Sequence, residues 1–240
     1  MESRSVGLVS LYGALVLLIP KPSYAHLAHP GYSGLISTPN AEVIPQGQLA
    51  LNFSWVNGPR TYLFSPQTNR LYVVTMGILP GLEGTLRQTQ VIGWHDPDAP
   101  GVQYALDRMF SAKYRLPMPK RFPSLAIGAQ DIASANLLSG VTGIQSGATQ
   151  YGQSTYYGVL GASQDSWDWH FGFGISQGFI NGFFGGMTFH LFERLKMLGE
   201  WDSKQVNWGL RFVPIDSWWL QISGMGIDTW GLSSGVSLTL

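Results

Sequence analysis

Seven charged side chains, Glu83, Arg87, Asp107, Arg115, Lys196, Glu200 and Arg211, occupy positions that alternation along the chain turns toward one shared interior. Gln130, His170 and Gln221 join them with hydrogen-bonding groups, and Tyr156 and Trp219 with rings that carry a polar edge. Mixed charge around an enclosed space shapes the field along it and offers shallow hydrogen bonds. It can also pair across the space and fill it, and an ion left unpaired away from water is costly, so pairing is the expected state of each member. Covalent chemistry is harder to find. Asp168 and His170 share a strand face and form a conceivable acid/base pair. No Gly-x-Ser-x-Gly elbow or second motif supplies a nucleophile beside them. His95, Asp96 and Asp98, flanked by Pro97 and Pro100, read as a polar turn before they read as a metal site. No phosphate-cradling glycine loop or dinucleotide fingerprint is present. The expectation is therefore no catalytic, metal or cofactor residue, no cofactor, and no enzymatic activity.

The elements that position these side chains follow from a period of two. Trp167, Trp169, Phe171, Phe173 and Ile175 alternate with Asp168, His170, Gly172 and Gly174, and Val206, Trp208, Leu210 and Phe212 with Asn207, Gly209 and Arg211. Such runs predict strands near 48–55, 70–78, 82–92, 104–115, 123–132, 154–163, 167–176, 181–190, 194–202, 205–213, 217–224 and 230–240, with no competing helical period. Only 12% of the 240 residues are charged, half the usual share, alongside 13% aromatics and 30 glycines. The greasy strand face is matched by a wet face of Gly, Ser, Thr, Asn and Gln, whereas the outer face of a soluble sandwich carries many charges. A membrane barrel with a narrow lumen fits both faces, and the fold class expected is all-β: a transmembrane antiparallel up-and-down barrel of about twelve strands.

Connections and aromatics agree with that orientation. Segments 56–69, 93–103 and 133–153 are long and polar, while those around Leu79-Pro80-Gly81, 116–122 and 164–166 are short, the asymmetry of outer-membrane barrels. Trp55, Trp94, Tyr114, Phe122, Trp167, Trp201, Trp218 and Trp230 fall near strand ends, where lipid headgroups favour an amphipathic ring. Residues 1–25 read as a cleaved signal peptide: Arg4, an apolar run from Val6 to Ile19, and Ser23-Tyr24-Ala25 as a small-x-small site. Residues 26–47 form a second unit, a periplasmic or plug segment or a plain linker, containing a short strand at 33–38; residues 48–240 are the barrel. The ending Gly235-Val236-Ser237-Leu238-Thr239-Leu240 resembles the C-terminal signal that barrel-assembly machinery reads, with Leu240 where an aromatic is usual. Zero net charge, with no basic stripe, lacks the footprint of a nucleic-acid binder.

Gly34-Leu35-Ile36-Ser37-Thr38-Pro39-Asn40-Ala41, with Ile44-Pro45-Gln46-Gly47 after it, resembles the opening of YjbH-type exopolysaccharide and capsule proteins of the Gram-negative outer membrane. Asp107-Arg108, Ala112-Lys113-Tyr114-Arg115 and Pro123 to Asp131 form a second similar block, and the resemblance runs over about 31–176. It implies help in exporting or assembling exopolysaccharide or capsule across the outer membrane. The chain is shorter than a typical multi-part member and has no lipoprotein cysteine.

The expectation is a passive conduit, with the twelve side chains as lumen residues that touch polysaccharide. Its expected partners are outer-membrane lipid, barrel-assembly machinery, polysaccharide and periplasmic export proteins. Two alternatives stay open: a structural or adhesin-like barrel acting through its outside loops, especially 133–153, and a hydrolase at the rim using His170.

Overall fold

The computed structural model describes residues 25–57, 68–92, 104–119, 121–132, 154–176 and 180–240. They contain twelve strands: β1 Gln48–Asn57, β2 Asn69–Leu79, β3 Leu82–Ile92, β4 Tyr104–Arg115, β5 Ser124–Gln130, β6 Thr155–Ser163, β7 Trp167–Ile175, β8 Gly182–Phe192, β9 Leu195–Trp201, β10 Val206–Ile215, β11 Trp218–Met225 and β12 Thr229–Thr239. Every strand end lies within two residues of its expected place. Each strand pairs antiparallel with its chain neighbours, and β1 pairs with β12 from Gln48↔Thr239 to Asn57↔Trp230, so the sheet closes and leaves no open edge. Inside a bilayer such closure is obligatory, because an unpaired backbone group in hydrocarbon has no water to turn to.

Alternation holds around the wall. On β1, Ala50, Asn52, Ser54 and Val56 are buried and Leu51, Phe53 and Trp55 exposed; on β7, His170, Gly172 and Gly174 are buried and Phe171, Phe173 and Ile175 exposed. The outer surface is thus a band of large apolar side chains. Trp55 and Trp230 stack edge to face at one end of the barrel, 5.1 Å apart. Tyr114, Phe122, Trp167 and Trp218 lie at the other end, beside the short connections, and so the girdle aromatics flank the apolar band. Trp94 and the 93–103 and 133–153 connections lie outside the described residues. The short connections, the start of β1 and the end of β12 share one rim, called here the turn rim.

Residues 25–47 do not hang below this rim. His26 to Ala41 are buried except for Asn40 at the edge, because the segment rises into the lumen and returns. Its return leg meets the wall where Gly77 has no side chain: Gln46 bridges Gly77, and the Gly47 N–H donates to the Gly77 carbonyl at 3.1 Å. The strand expected at 33–38 is not formed. That stretch carries only the isolated bridges Leu27↔Ser33 and Gly34↔Pro39, because its N–H groups go to wall carboxylates.

The core lies between plug and wall. Leu35 and Ile36 pack with Val56, Leu71, Leu198 and Met225 on one side. Leu27 and Ile44 pack with Ala50, Val73 and Trp219 on another. The Trp219 indole lies flat against Gly235, where any Cβ would overlap the ring. Gly235→Val is expected to cost about 1–3 kcal/mol through overpacking, read as a lower urea midpoint of the refolded barrel. Gly199→Ala, at a site with open space, is expected to stay within about 0.5 kcal/mol of the parent.

Candidate functional site: a plug held in the lumen

The tightest contact between plug and wall is one carboxylate. Glu200 points inward from β9, and its oxygens accept three consecutive plug N–H groups: Ile36 at 3.0 Å, Ser37 at 2.8 Å and Thr38 at 3.2 Å. The Thr38 hydroxyl donates to it at 2.8 Å, and the Asn207 amide does so from β10 at 2.9 Å. Successive N–H groups can converge on one anion only if the backbone curls, and Ile36-Ser37-Thr38 curls ahead of Pro39. Charge-assisted bonds of this kind are about twice as strong as neutral ones. They also make tolerable a carboxylate that is 4% exposed.

A second carboxylate holds the other part of the loop. Glu83, at the start of β3, accepts the Ser33 N–H at 3.0 Å, the Ser33 hydroxyl at 2.6 Å and the Ile44 N–H at 2.9 Å. Lys113 on β4 balances its charge at 3.2 Å, both groups being 1% exposed, and donates to the Ser33 carbonyl at 2.8 Å and the Asn40 carbonyl at 3.2 Å. Across the lumen Arg211 donates to the Leu35 carbonyl at 2.7 Å and to Gln221 at 2.8 Å. The plug's donors thus meet wall carboxylates and its acceptors meet wall cations. At the rim Arg115 pairs with Glu42 at 2.7 Å, partly exposed and so worth little by itself.

Of the residues singled out from sequence, Glu83, Arg115, Glu200 and Arg211 come together on the plug as described, with Gln221 bonded to Arg211 behind it. Trp219 is 1% exposed and faces His26 edge-on at 5.5 Å. His170 sits 2.9 Å from the Thr38 hydroxyl. Lys196 faces inward beside a small cavity. Arg87 and Gln130 are buried on the inner face away from these anchors, Arg87 against the Met109 sulfur at 3.3 Å. Asp107 falls within β4, and its side chain lies outside the described residues. Tyr156 requires a correction: it is 58% exposed on the outer wall, and Tyr157 is the inward ring, packed against Tyr32 and Phe184. Both faces of β6 carry apolar residues, Tyr157 and Val159 against Tyr156 and Leu160, so alternation alone does not choose between them. Lys113 was missed, although it stands two residues from Arg115 on the same face of β4. Ser33 and Thr38 were missed because the plug's side chains have no period to follow.

The arrangement holds backbone, and it leaves little room for a substrate. The cavity between the plug and β6–β10, lined by Glu42, Ser163, Asp168, His170, Lys196 and Arg211, measures about 30 Å³, roughly one water. Asp168 bonds His190 at 2.9 Å, so the conceivable Asp168–His170 pair is split between two partners. Among the described residues no cluster of three His, Cys, Asp or Glu is arranged for a metal. His95, Asp96 and Asp98 lie outside them.

His29, carried by the plug and not by a spanning strand, adds a pH dependence. Enclosure, and then the Arg211 charge, lower its pKa from 6.5 to about 4, while its Nε2 meets the Ser223 hydroxyl at 2.8 Å. The seated plug therefore holds His29 neutral, and a released plug takes up the proton more readily. Its contribution is complete above pH 6.5 and is lost as pH falls toward 4. In a planar bilayer, openings are expected to become more frequent over that window, and a pH-independent record would contradict this. Glu200→Ala strips the acceptor from three buried N–H groups, each worth about 1–3 kcal/mol when orphaned. The variant barrel is expected to fold and to conduct at neutral pH, whereas the parent stays closed.

The first similar block, Gly34 to Ala41, is the stretch that seats on Glu200 and Arg211, and comparison with known proteins bears on it directly. Residues 27–142 match the YjbH family, described as exopolysaccharide biosynthesis protein YbjH, a shorter stretch than the 31–176 read from the motifs. No curated protein matches the chain. Among solved structures, the KdgM porin in complex with disordered oligogalacturonate is similar at 9% identity and a TM-score of 0.48, over 80% of this chain and 99% of that one. The COG4313 outer membrane channel of Pseudomonas putida F1 is similar at 9% identity and 0.45, over 85% and 100%. The outer membrane phospholipase dimer of Salmonella typhi with bound calcium follows at 10% and 0.43, over 82% and 92%. The match to the YjbH exopolysaccharide family thus takes in residues 27–142, which run from the plug into the wall strands it seats on.

Proposed function

We propose that the protein is an outer-membrane barrel serving exopolysaccharide export, with its lumen gated by its own N-terminal segment. The supporting observation is the chemistry of the seat. Glu83, Lys113, Glu200 and Arg211 now satisfy the N–H and C=O groups of a polypeptide. A polyhydroxylated chain presents the same mixture of donors and acceptors, each bonded shallowly, as passage of a polymer requires. The polar part of the seat can pass from plug to sugar without exposing unmatched charge, while the apolar contacts of Leu27, Leu35, Ile36 and Ile44 are given up. The passive conduit expected from sequence therefore becomes a conduit that opens when the plug leaves.

The filled lumen also favours a second reading, in which the closed barrel acts as an assembly partner of the export apparatus and its plug never moves. Deletion of the gene is expected to remove polysaccharide from the cell surface under either reading. The two separate on conductance: for the gated conduit, the Glu200→Ala barrel shows steps that added oligosaccharide interrupts. Steps indifferent to oligosaccharide, with surface polysaccharide still lost on deletion, would favour the assembly partner. Unchanged surface polysaccharide in the deletion strain would overturn both.

A further inference from the structure

The charged side chains of the described lipid-facing wall gather in one patch. Among the described strand residues whose side chains point outward, Arg70 and Arg108 are the arginines, and no Asp or Glu joins them on that face. Register brings them together with two amides: Arg70 lies opposite Gln90, Tyr72 opposite Gln88, and Gln88 opposite Arg108. The four occupy adjacent rungs of β2, β3 and β4 near the end of the barrel remote from the turn rim. Trp55 lies opposite Arg70, so the upper rung is level with the Trp55–Trp230 pair that marks the headgroup depth. Immediately below, the wall is concave: a groove of about 630 Å³ is lined by Phe53, Tyr72, Val74, Leu86, Phe110 and Val236, with Gln88 and Arg108 at its upper edge.

Arginine facing bare hydrocarbon is costly at the bilayer midplane and less so toward the interface. Two of them with no acid beside them among the described residues call for an anion, and the groove directly beneath calls for apolar chains. One molecule supplies both. We propose that this face of β2–β4 seats a phosphate-bearing lipid of the loop-side leaflet, with Arg70 and Arg108 on its phosphate, Gln88 and Gln90 as further donors, and an acyl chain in the groove. Guanidinium suits phosphate because its forked donors bind two oxygens at once. The seat lies outside the barrel and is independent of the plug.

The test is retention of lipid by the purified full-length barrel in detergent, followed by native mass spectrometry with two probes: diphosphorylated lipid A and the same lipid without phosphate. One phosphorylated lipid is expected to remain per barrel. Retention is expected to fall about tenfold in Arg70→Gln/Arg108→Gln and to persist in Arg194→Gln, which removes a charge at the turn rim. Heat-dependent gel migration reports whether each variant is folded. If the double variant does not fold, the comparison of the two probes on the parent decides. Equal retention of the two probes would overturn the proposal. So would unchanged retention by a folded double variant, or a double variant that loses a second copy of the chain and no lipid.

Discussion

An ion enclosed by protein must be met by opposite charge or by hydrogen bonds, and the interior of this barrel is organised around that requirement. Glu83, Lys113, Glu200 and Arg211 point into the lumen, and each is 4% exposed or less. The wall meets part of the demand itself, through Lys113 on Glu83 and Asn207 on Glu200. The plug meets the rest with backbone groups, which are themselves expensive to bury unpaired. Neither side is satisfied alone. The barrel needs something polar in its lumen, and the plug has no strand partner except the wall.

This mutual dependence explains why the motif Gly34–Ala41 reads as it does. Ile36 fills a space opposite Gly209, which a side chain there would narrow. Ser37 and Thr38 keep the backbone curled toward Glu200, and Tyr32 ties the loop by donating its hydroxyl to the Ser37 carbonyl at 2.6 Å. His29 reaches the far wall, where its ring occupies the space a side chain at Gly231 would need. In the gated conduit proposed above, the forces holding the plug weaken when His29 takes a proton or when another polar chain competes.

The barrel was legible from sequence because a closed antiparallel wall with lipid outside and a lumen inside imposes a strict period of two. The wall's inward residues were legible for the same reason, and Glu83, Glu200, Arg211, Gln221 and Trp219 stand on the inner face. The period fails where the inner face is itself apolar. Opposite the plug's Tyr32, Tyr157 and Val159 give β6 two greasy faces, and Tyr156 was placed on the wrong one. The plug was less legible still. Its N–H groups bond carboxylates 39 to 164 residues away in the chain, so no local pattern announces its shape, and a strand at 33–38 was the nearest local reading. Glu83 and Glu200 as acceptors of backbone N–H groups are visible only once the register is known.

The central claim is that residues 26–47 occupy the lumen. The natural chain has no cysteine, so an introduced pair reports without background. A Cβ built at Gly161 on β6 lies 3.4 Å from the Ala41 Cβ on the plug, close to the separation a disulfide spans. Ala41→Cys/Gly161→Cys should therefore oxidise to a cross-linked species in the folded barrel, and each single variant should leave its thiol free. A folded double variant whose two thiols both react with a maleimide added under oxidising conditions, and never cross-link, would place the segment outside the lumen and contradict the account.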